Sequence, residues 1–205
     1  MYPQLLHTLE LVQKLEITEE RKEILKPLTE FIQRKLRDKK PINLNFICTH
    51  NSRRSHLSQV WAQIASDYFH VPKVTCYSGG TEETAIFPKV VETLTEQGLR
   101  ILKISDMESP VYSIKYNEEA HPVVGFSKKY DSPFNPSYGF AAIMTCSQAD
   151  SGCPFIPGAD QRIPITFEDP KISDNTAEQA KVYHERSLQI AAEMFYAFSK
   201  VIHPN

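Results

Sequence analysis

From residue 41 onward, short apolar runs alternate with segments of helical periodicity, and no other feature narrows the fold class as much. The runs are "INLNFIC" (42–48), "KVTCYSGG" (73–80) and "LRILKIS" (99–105), with helices expected over 55–69 and over 86–97, the latter closed by Gly98. Buried strands joined by crossover helices are the pattern of βαβ units on a parallel sheet. "FAAIMTC" (140–146) reads as a fourth buried strand, and residues 175–200 as an amphipathic closing helix. Ahead of that fourth strand, "VYSIKYNEEAHPVVGF" (111–126) predicts a β-hairpin around a polar turn, and "SKKYDSPFNPSYG" (127–139) a loop. The expected fold class is therefore α/β, a doubly wound parallel sheet with an inserted β-hairpin.

Residues 1–40 differ from the rest. Leu5, Leu6, Leu9 and Val12 share one helical face, and Ile24, Leu28, Phe31, Ile32 and Leu36 repeat that spacing behind a Thr18 cap. Pro27 lies inside the second pattern and is expected to kink or interrupt it. The chain thus divides into an N-terminal helical extension, 1–40, and a domain, 41–205, joined by "RDKKP". The apolar faces of the extension are expected to dock on the domain or, in a homodimer, on a second subunit.

Composition excludes several classes of function. Lys and Arg total 23 and Asp and Glu 25, a formal charge of −2, which leaves no electrostatic footprint for nucleic acid. No basic, then apolar, leader opens the chain, and no run is long enough to span a membrane. A cytoplasmic protein with reduced thiols is the expectation, so any disulfide would be transient and catalytic.

Four cysteines then need explaining: Cys48, Cys76, Cys146 and Cys153. Cys76 lies within a strand pattern and reads as a packed thiol. Cys48 stands where the first strand turns into a helix, in "CTHNSRRS". Backbone N–H groups converge at such a joint with the positive end of the helix dipole behind them, an anion cradle. A thiol there is held as thiolate, its pKa lowered from about 8.5. Arg54 can curl back to grip two oxygens of a tetrahedral oxyanion, Ser55 can donate its hydroxyl to the thiolate, and Asn51 can pin the loop. Thr49, His50, Ser52 and Arg53 complete the loop that would surround the anion. His50 and His56 flank it as possible tuners of its potential.

Cys48, Asn51, Ser52, Arg54 and Ser55 resemble the phosphate loop of the low-molecular-weight protein tyrosine phosphatases and the arsenate reductases that share their fold. The resemblance covers about residues 42–200 and leaves the N-terminal helices unmatched. Arg53 departs from the pattern, where a small residue or a second cysteine is usual. In the family, Tyr77, Ser78 and Gly79 match the strand end that supports the loop. Gln59 stands where some reductases place a glutamate in a potassium site to which Ser78 would contribute. The residues themselves imply no metal and no cofactor.

"TCSQADSGCP" separates the reductase and phosphatase branches, since it places Cys146 and Cys153 seven residues apart after a buried strand. The resemblance implies a redox pair of the thioredoxin-coupled reductases. A zinc site or inert thiols are the other readings, though zinc pairs lie closer in sequence and the segment has the composition of a surface loop. In "TFEDPK", Asp169-Pro170 aligns with the family's Asp-Pro loop, which implies a general acid at Asp169; an isolated Asp-Pro would otherwise mark a turn. The expected function is thioredoxin-coupled reduction of arsenate to arsenite through Cys48, Cys146 and Cys153, with Arg54 and Asp169. The alternatives are a tyrosine phosphatase using Cys48, Arg54 and Asp169, with Tyr130, Phe134 and Tyr138 walling a phosphotyrosine slot, and a non-catalytic oxyanion- or partner-binding module.

Overall fold

The computed structural model describes residues 1–152 and 155–202. Helices α1 (Pro3–Val12) and α2 (Glu19–Arg37) open the chain. The Thr18 side chain accepts the Arg21 N–H at 3.3 Å, capping α2. Glu19 and Glu20 in its first turn and Arg34, Lys35 and Arg37 in its last complement the helix dipole. Contrary to expectation, α2 runs through Pro27 as one helix. Leu25, Leu28, Phe31 and Ile32 are fully buried around it, and such packing outweighs the hydrogen bond that proline removes.

Strand β1 (Ile42–Cys48) leads into α3 (Arg54–Tyr68), then β2 (Val74–Gly80) and α4 (Pro88–Glu96). Next come β3 (Arg100–Lys103), β4 (Tyr112–Lys115) and β5 (Val123–Gly125). The chain closes with β6 (Phe140–Met144), the short α5 (Ser147–Gly152), β7 (Ala159–Pro164), a 3₁₀ turn (Pro170–Ser173) and α6 (Gln179–Ser199).

The central sheet is parallel, in the order β2-β1-β6-β7. "LRILKIS" was expected to supply one of its strands. Instead β3 pairs antiparallel with β4, and β4 with β5, in a separate three-stranded sheet that contains the expected hairpin. Arg100 and Lys103 bound β3 and Leu102 is 65% exposed, whereas a central parallel strand needs two apolar faces. Its place is taken by β7, "ADQRIP", an edge strand with only Ile163 buried, which gave no apolar signal.

Strand alternation splits the core. Leu44, Phe46, Ala141 and Ile143 share one large cluster with α3 and α6, and Leu5, Leu9, Leu28, Phe31 and Ile32 of α1 and α2 belong to it too. The apolar faces of the N-terminal helices are therefore buried within the chain itself. Ile47, Ala142 and Met144 turn the other way, into a smaller cluster with Cys48, Cys146 and Ala149.

This strand order locates the site. Chain connections leave β1 toward β2 on one side and return to β6 on the other, and the crevice beyond the carboxyl ends of two such strands is the usual ligand position in open α/β sheets. Ile47 is in register with Met144, so Cys48 and Cys146 both emerge at that crevice.

Candidate active site

Residues 48–53 form a loop whose carbonyls all point outward to partners. The Cys48 carbonyl accepts the Thr81 N–H at 3.1 Å and that of Thr49 the Glu82 N–H at 2.9 Å. The His50 carbonyl accepts the hydroxyls of Thr84 at 3.0 Å and Ser127 at 3.2 Å, and that of Ser52 the Phe87 N–H at 3.0 Å. Among the described residues, no N–H of residues 49–53 is hydrogen-bonded. A peptide whose carbonyls are tied outward leaves its N–H groups to the centre, the geometry of an anion nest.

Two features hold that curvature. Asn51 has φ of 44°, a left-handed conformation that asparagine tolerates better than most residues. Its Oδ1 accepts the Lys128 N–H at 2.9 Å and its Nδ2 donates to Ser55 Oγ at 2.9 Å. Beneath the loop, a Cβ on Gly80 would lie 2.7 Å from the Thr49 carbonyl oxygen and 2.8 Å from the Asn51 nitrogen, so the strand can approach only as glycine.

Cys48 is buried, with its Sγ 3.1 Å from Ser55 Oγ. Ser55 in turn accepts from Asn51, so its own proton is available to sulfur. Arg54 donates from Nη1 to the Phe167 carbonyl at 3.0 Å and from Nη2 to Asp169 Oδ2 at 2.5 Å. Its Nε is buried and has no hydrogen-bond partner among the described residues. Asp169 Oδ1 also accepts the Lys171 N–H at 3.1 Å, capping the 3₁₀ turn. Cys48, His50, Ser52, Arg53, Arg54 and Asp169 line one small recess.

Arg53 behaves differently from Arg54. It donates to Tyr183 Oη at 2.6 Å and Asp174 Oδ2 at 2.7 Å, and its guanidinium lies 4.0 Å from the Phe87 ring centre. Burial alone would raise the Asp174 carboxyl, but hydrogen bonds from Tyr183 and Gln179, with Arg53 itself, hold it below its ordinary range. The Arg53 side chain is thus neutralised and braces the loop against α6.

Cys146 is 1% exposed, and its Sγ lies 3.5 Å from Thr49 Oγ1. It precedes α5, and the Ala149 N–H donates to the sulfur at 3.3 Å, as in an N-cap. The segment that composition assigned to a surface loop is therefore, over Ser147–Gly152, a short helix. Cys153 lies outside the described residues. Cys76 is buried, away from this recess, and burial pushes its thiol pKa up, as fits a packed thiol.

The two flanking histidines differ in setting. His50 is half exposed, 3.5 Å from Glu82. His56 is buried, with Nε2 2.9 Å from the Asn51 carbonyl and Nδ1 3.2 Å from Ser78 Oγ. Burial, and secondarily Lys128, lower its pKa to about 3. It is a neutral ring that donates from Nε2 and fixes Asn51.

At the potassium position Gln59 leaves its Oε1 buried without a hydrogen-bond partner among the described residues. Gln59 donates to the carbonyls of Cys76 at 3.1 Å and Val124 at 3.4 Å, and Ser78 bonds to His56. Lys128 lies close enough to His56 to lower its pKa. Among the described residues, no group of three or more His, Cys, Asp or Glu could hold a metal ion. The aromatic slot is also not built as expected. Phe134 lines a different cavity with Gln59, Tyr77 and Tyr116, and Tyr138 is 79% exposed, while Tyr130 packs beneath the loop against Gly79. The supports Thr84, Ser127 and Lys128 went unnoticed in sequence because they lie in loops without periodicity.

No family model matches the chain. It is 31% identical over 134 residues to arsenate reductase 2 of Staphylococcus epidermidis, spanning 65% of this chain and 80% of that protein. The fold matches the low-molecular-weight protein tyrosine phosphatase of T. tengcongensis at a TM-score of 0.51 and 14% identity, over 78% of this chain and 99% of that one. An arsenate reductase of Archaeoglobus fulgidus matches at 0.50 and 15% identity, over 77% and 99%. With a cysteine-bearing loop at the switch point of the matching fold, the chain belongs to the low-molecular-weight phosphatase and arsenate reductase superfamily and is an enzyme.

Proposed function

We propose that this enzyme reduces arsenate to arsenite. The observation that carries the reading is the second thiol: Cys146 is buried beside the nucleophile loop, 3.5 Å from the Thr49 hydroxyl and in one cluster with Cys48. Phosphoester hydrolysis has no use for it, whereas reduction needs a thiol within reach of the first. The arsenate reductase relatives support the same branch.

In this reading Cys48, as thiolate, attacks arsenic within the loop amides. Asp169 protonates the departing oxygen, which leaves as water, and Arg54 neutralises the oxyanion. Cys146 then attacks the Cys48 sulfur. The sulfur–arsenic bond breaks toward arsenic, which takes the electron pair and leaves as arsenite, and a Cys48–Cys146 disulfide forms. Cys153 attacks Cys146 in turn, freeing Cys48, and the dithiol of thioredoxin reduces the outer disulfide. Thr49, His50, Asn51, Ser52, Arg53 and Ser55 form and hold the oxyanion loop. The core shared by α1 and α2 argues against a homodimer through their buried faces; Leu6 and Leu11 of α1, with Leu15 just after it, are the large apolar residues exposed there.

The second reading is a phosphatase using Cys48, Arg54 and Asp169 with water as the final nucleophile. It keeps all the parts of the first half-reaction, but the recess lacks its three expected aromatic walls. Purified protein with thioredoxin, thioredoxin reductase and NADPH should consume NADPH only when arsenate is present, and Cys48→Ser should abolish this. Rapid p-nitrophenyl phosphate hydrolysis without arsenate-dependent NADPH oxidation would instead establish the phosphatase.

A further inference from the structure

The acid-bearing loop, residues 165–169, is fastened from two sides. On the substrate side Arg54 holds the Phe167 carbonyl and the Asp169 carboxylate. On the opposite side Arg21, from α2 of the N-terminal extension, donates from Nη1 to the Thr166 carbonyl at 3.2 Å. Its guanidinium lies 5.2 Å from the centre of the Phe167 ring, within cation–π range. Arg21 is itself fixed by a two-pronged contact with Glu193 of α6, at 3.0 Å and 2.5 Å, and that carboxylate is only 3% exposed. Gln189 donates to the same carboxylate at 3.0 Å and accepts from Arg186, whose other arm reaches Glu168 at 3.0 Å. Glu168 is 90% exposed, so that last pair adds little. The half-buried Arg21 and the buried Glu193 are the bidentate part of the brace.

Nothing in the core requires this arrangement. Leu25, Leu28, Phe31 and Ile32 already anchor α2, and an apolar residue at 21 would avoid burying an ion pair, which is often neutral for stability. The arginine instead joins the carbonyl of Thr166 and the ring of Phe167, two consecutive residues that precede the acid. Small displacements of a catalytic group are costly, since about 1 Å can lose 10²-fold in rate.

We propose that Arg21 is a positioning residue for Asp169, so that the N-terminal extension completes the active site from behind. The assignment rests on reading Asp169 as the leaving-group acid. Two measurements on the full-length protein test it independently of one another. The first is amide hydrogen exchange without any oxyanion: Arg21→Met and Glu193→Gln should speed exchange of residues 165–169 about tenfold or more, with β1 and β6 unchanged. Unchanged exchange at 165–169, or equal acceleration throughout the sheet, would overturn the brace.

The second compares leaving groups. With Arg21→Met, turnover of phenyl phosphate, which needs an acid, should fall about tenfold relative to p-nitrophenyl phosphate, which needs one less. KM should stay within about twofold, and Arg21→Lys should recover part of the loss through its single donor. An equal fall on both esters would make Arg21 merely structural. If neither ester nor arsenate is turned over by the unaltered protein, the functional reading falls, and the exchange result alone decides whether the brace exists.

Discussion

Asp169 has two duties that pull in different directions: it neutralises Arg54 in the free enzyme and is read as the acid during turnover. An arriving oxyanion competes with it for the guanidinium. Asp169→Asn should therefore slow the first chemical step by about 10²–10⁴-fold, the range for a lost general acid, without weakening oxyanion binding. Single-turnover rates beside inhibition by inorganic phosphate check both halves; weaker phosphate inhibition with an unchanged rate would make Asp169 structural. Lys128 offers a second test. It is buried with its ammonium 4.2 Å from the Phe126 ring centre, and burial lowers its pKa from 10.5 to about 7. Between those values the unfolded chain binds a proton that the folded protein does not, so this group's contribution to stability is poorest below pH 7 and improves as pH rises. Lys128→Met should be most stabilising, relative to the unaltered protein, near or below pH 7. Its advantage should shrink by up to about 1.4 kcal/mol per pH unit toward 10.5, as urea unfolding would show; a pH-independent difference would mean that Lys128 is not depressed. Cys48, Arg54 and Asp169 were legible in the sequence because each sits in a short local pattern. Lys128 and Arg21 were not, because their importance arises from contacts across 77 and 145 positions of chain.

At the scale of elements, legibility followed burial. β1 and β6 are buried on both faces and were recognised, whereas β7 shows only Ile163 to the core and left no periodic trace. β3 was recognised as a strand but assigned to the wrong sheet, since pairing partners are set by the hairpin that follows and not by "RILK" itself. The helix α5 carries a mechanistic consequence. Residues seven apart on a regular helix lie about 10 Å apart along its axis, beyond the roughly 7 Å Cα separation that a disulfide allows. In the proposed relay a Cys146–Cys153 bond could not form across a regular helix, which makes α5, Ser147–Gly152, the element that would have to open. Its latch is Arg162 of β7, which donates from Nη2 to the Asp150 carbonyl and, at 2.5 Å, to its carboxylate. Arg162→Met should raise amide exchange across 147–152 and speed the passage of the disulfide from Cys48 to Cys153, leaving β1 and β6 protected. Slower passage, with α5 exchange unchanged, would show that the helix is not what the relay must open.

For the whole molecule, the parallel sheet converts distant sequence positions into one site. Cys48 ends β1, Cys146 follows β6 and Asp169 follows β7, so the carboxyl ends of three neighbouring strands carry the residues proposed as nucleophile, second thiol and acid. The N-terminal helices share the large core cluster with β1, α3 and α6, and supply Arg21 behind the acid loop. Periodicity revealed those helices but not where they dock, because an apolar stripe records that a face is buried and not against what. The central claim is that electrons leave Cys48 through Cys146. A single turnover of Cys153→Ser with arsenate, followed by thiol blocking and mass spectrometry of the peptides, tests it most directly. The account predicts one equivalent of arsenite per enzyme, a trapped Cys48–Cys146 disulfide and no further turnover with thioredoxin. Sustained thioredoxin-dependent turnover by Cys153→Ser, or arsenite formed with Cys146 still a free thiol, would contradict it.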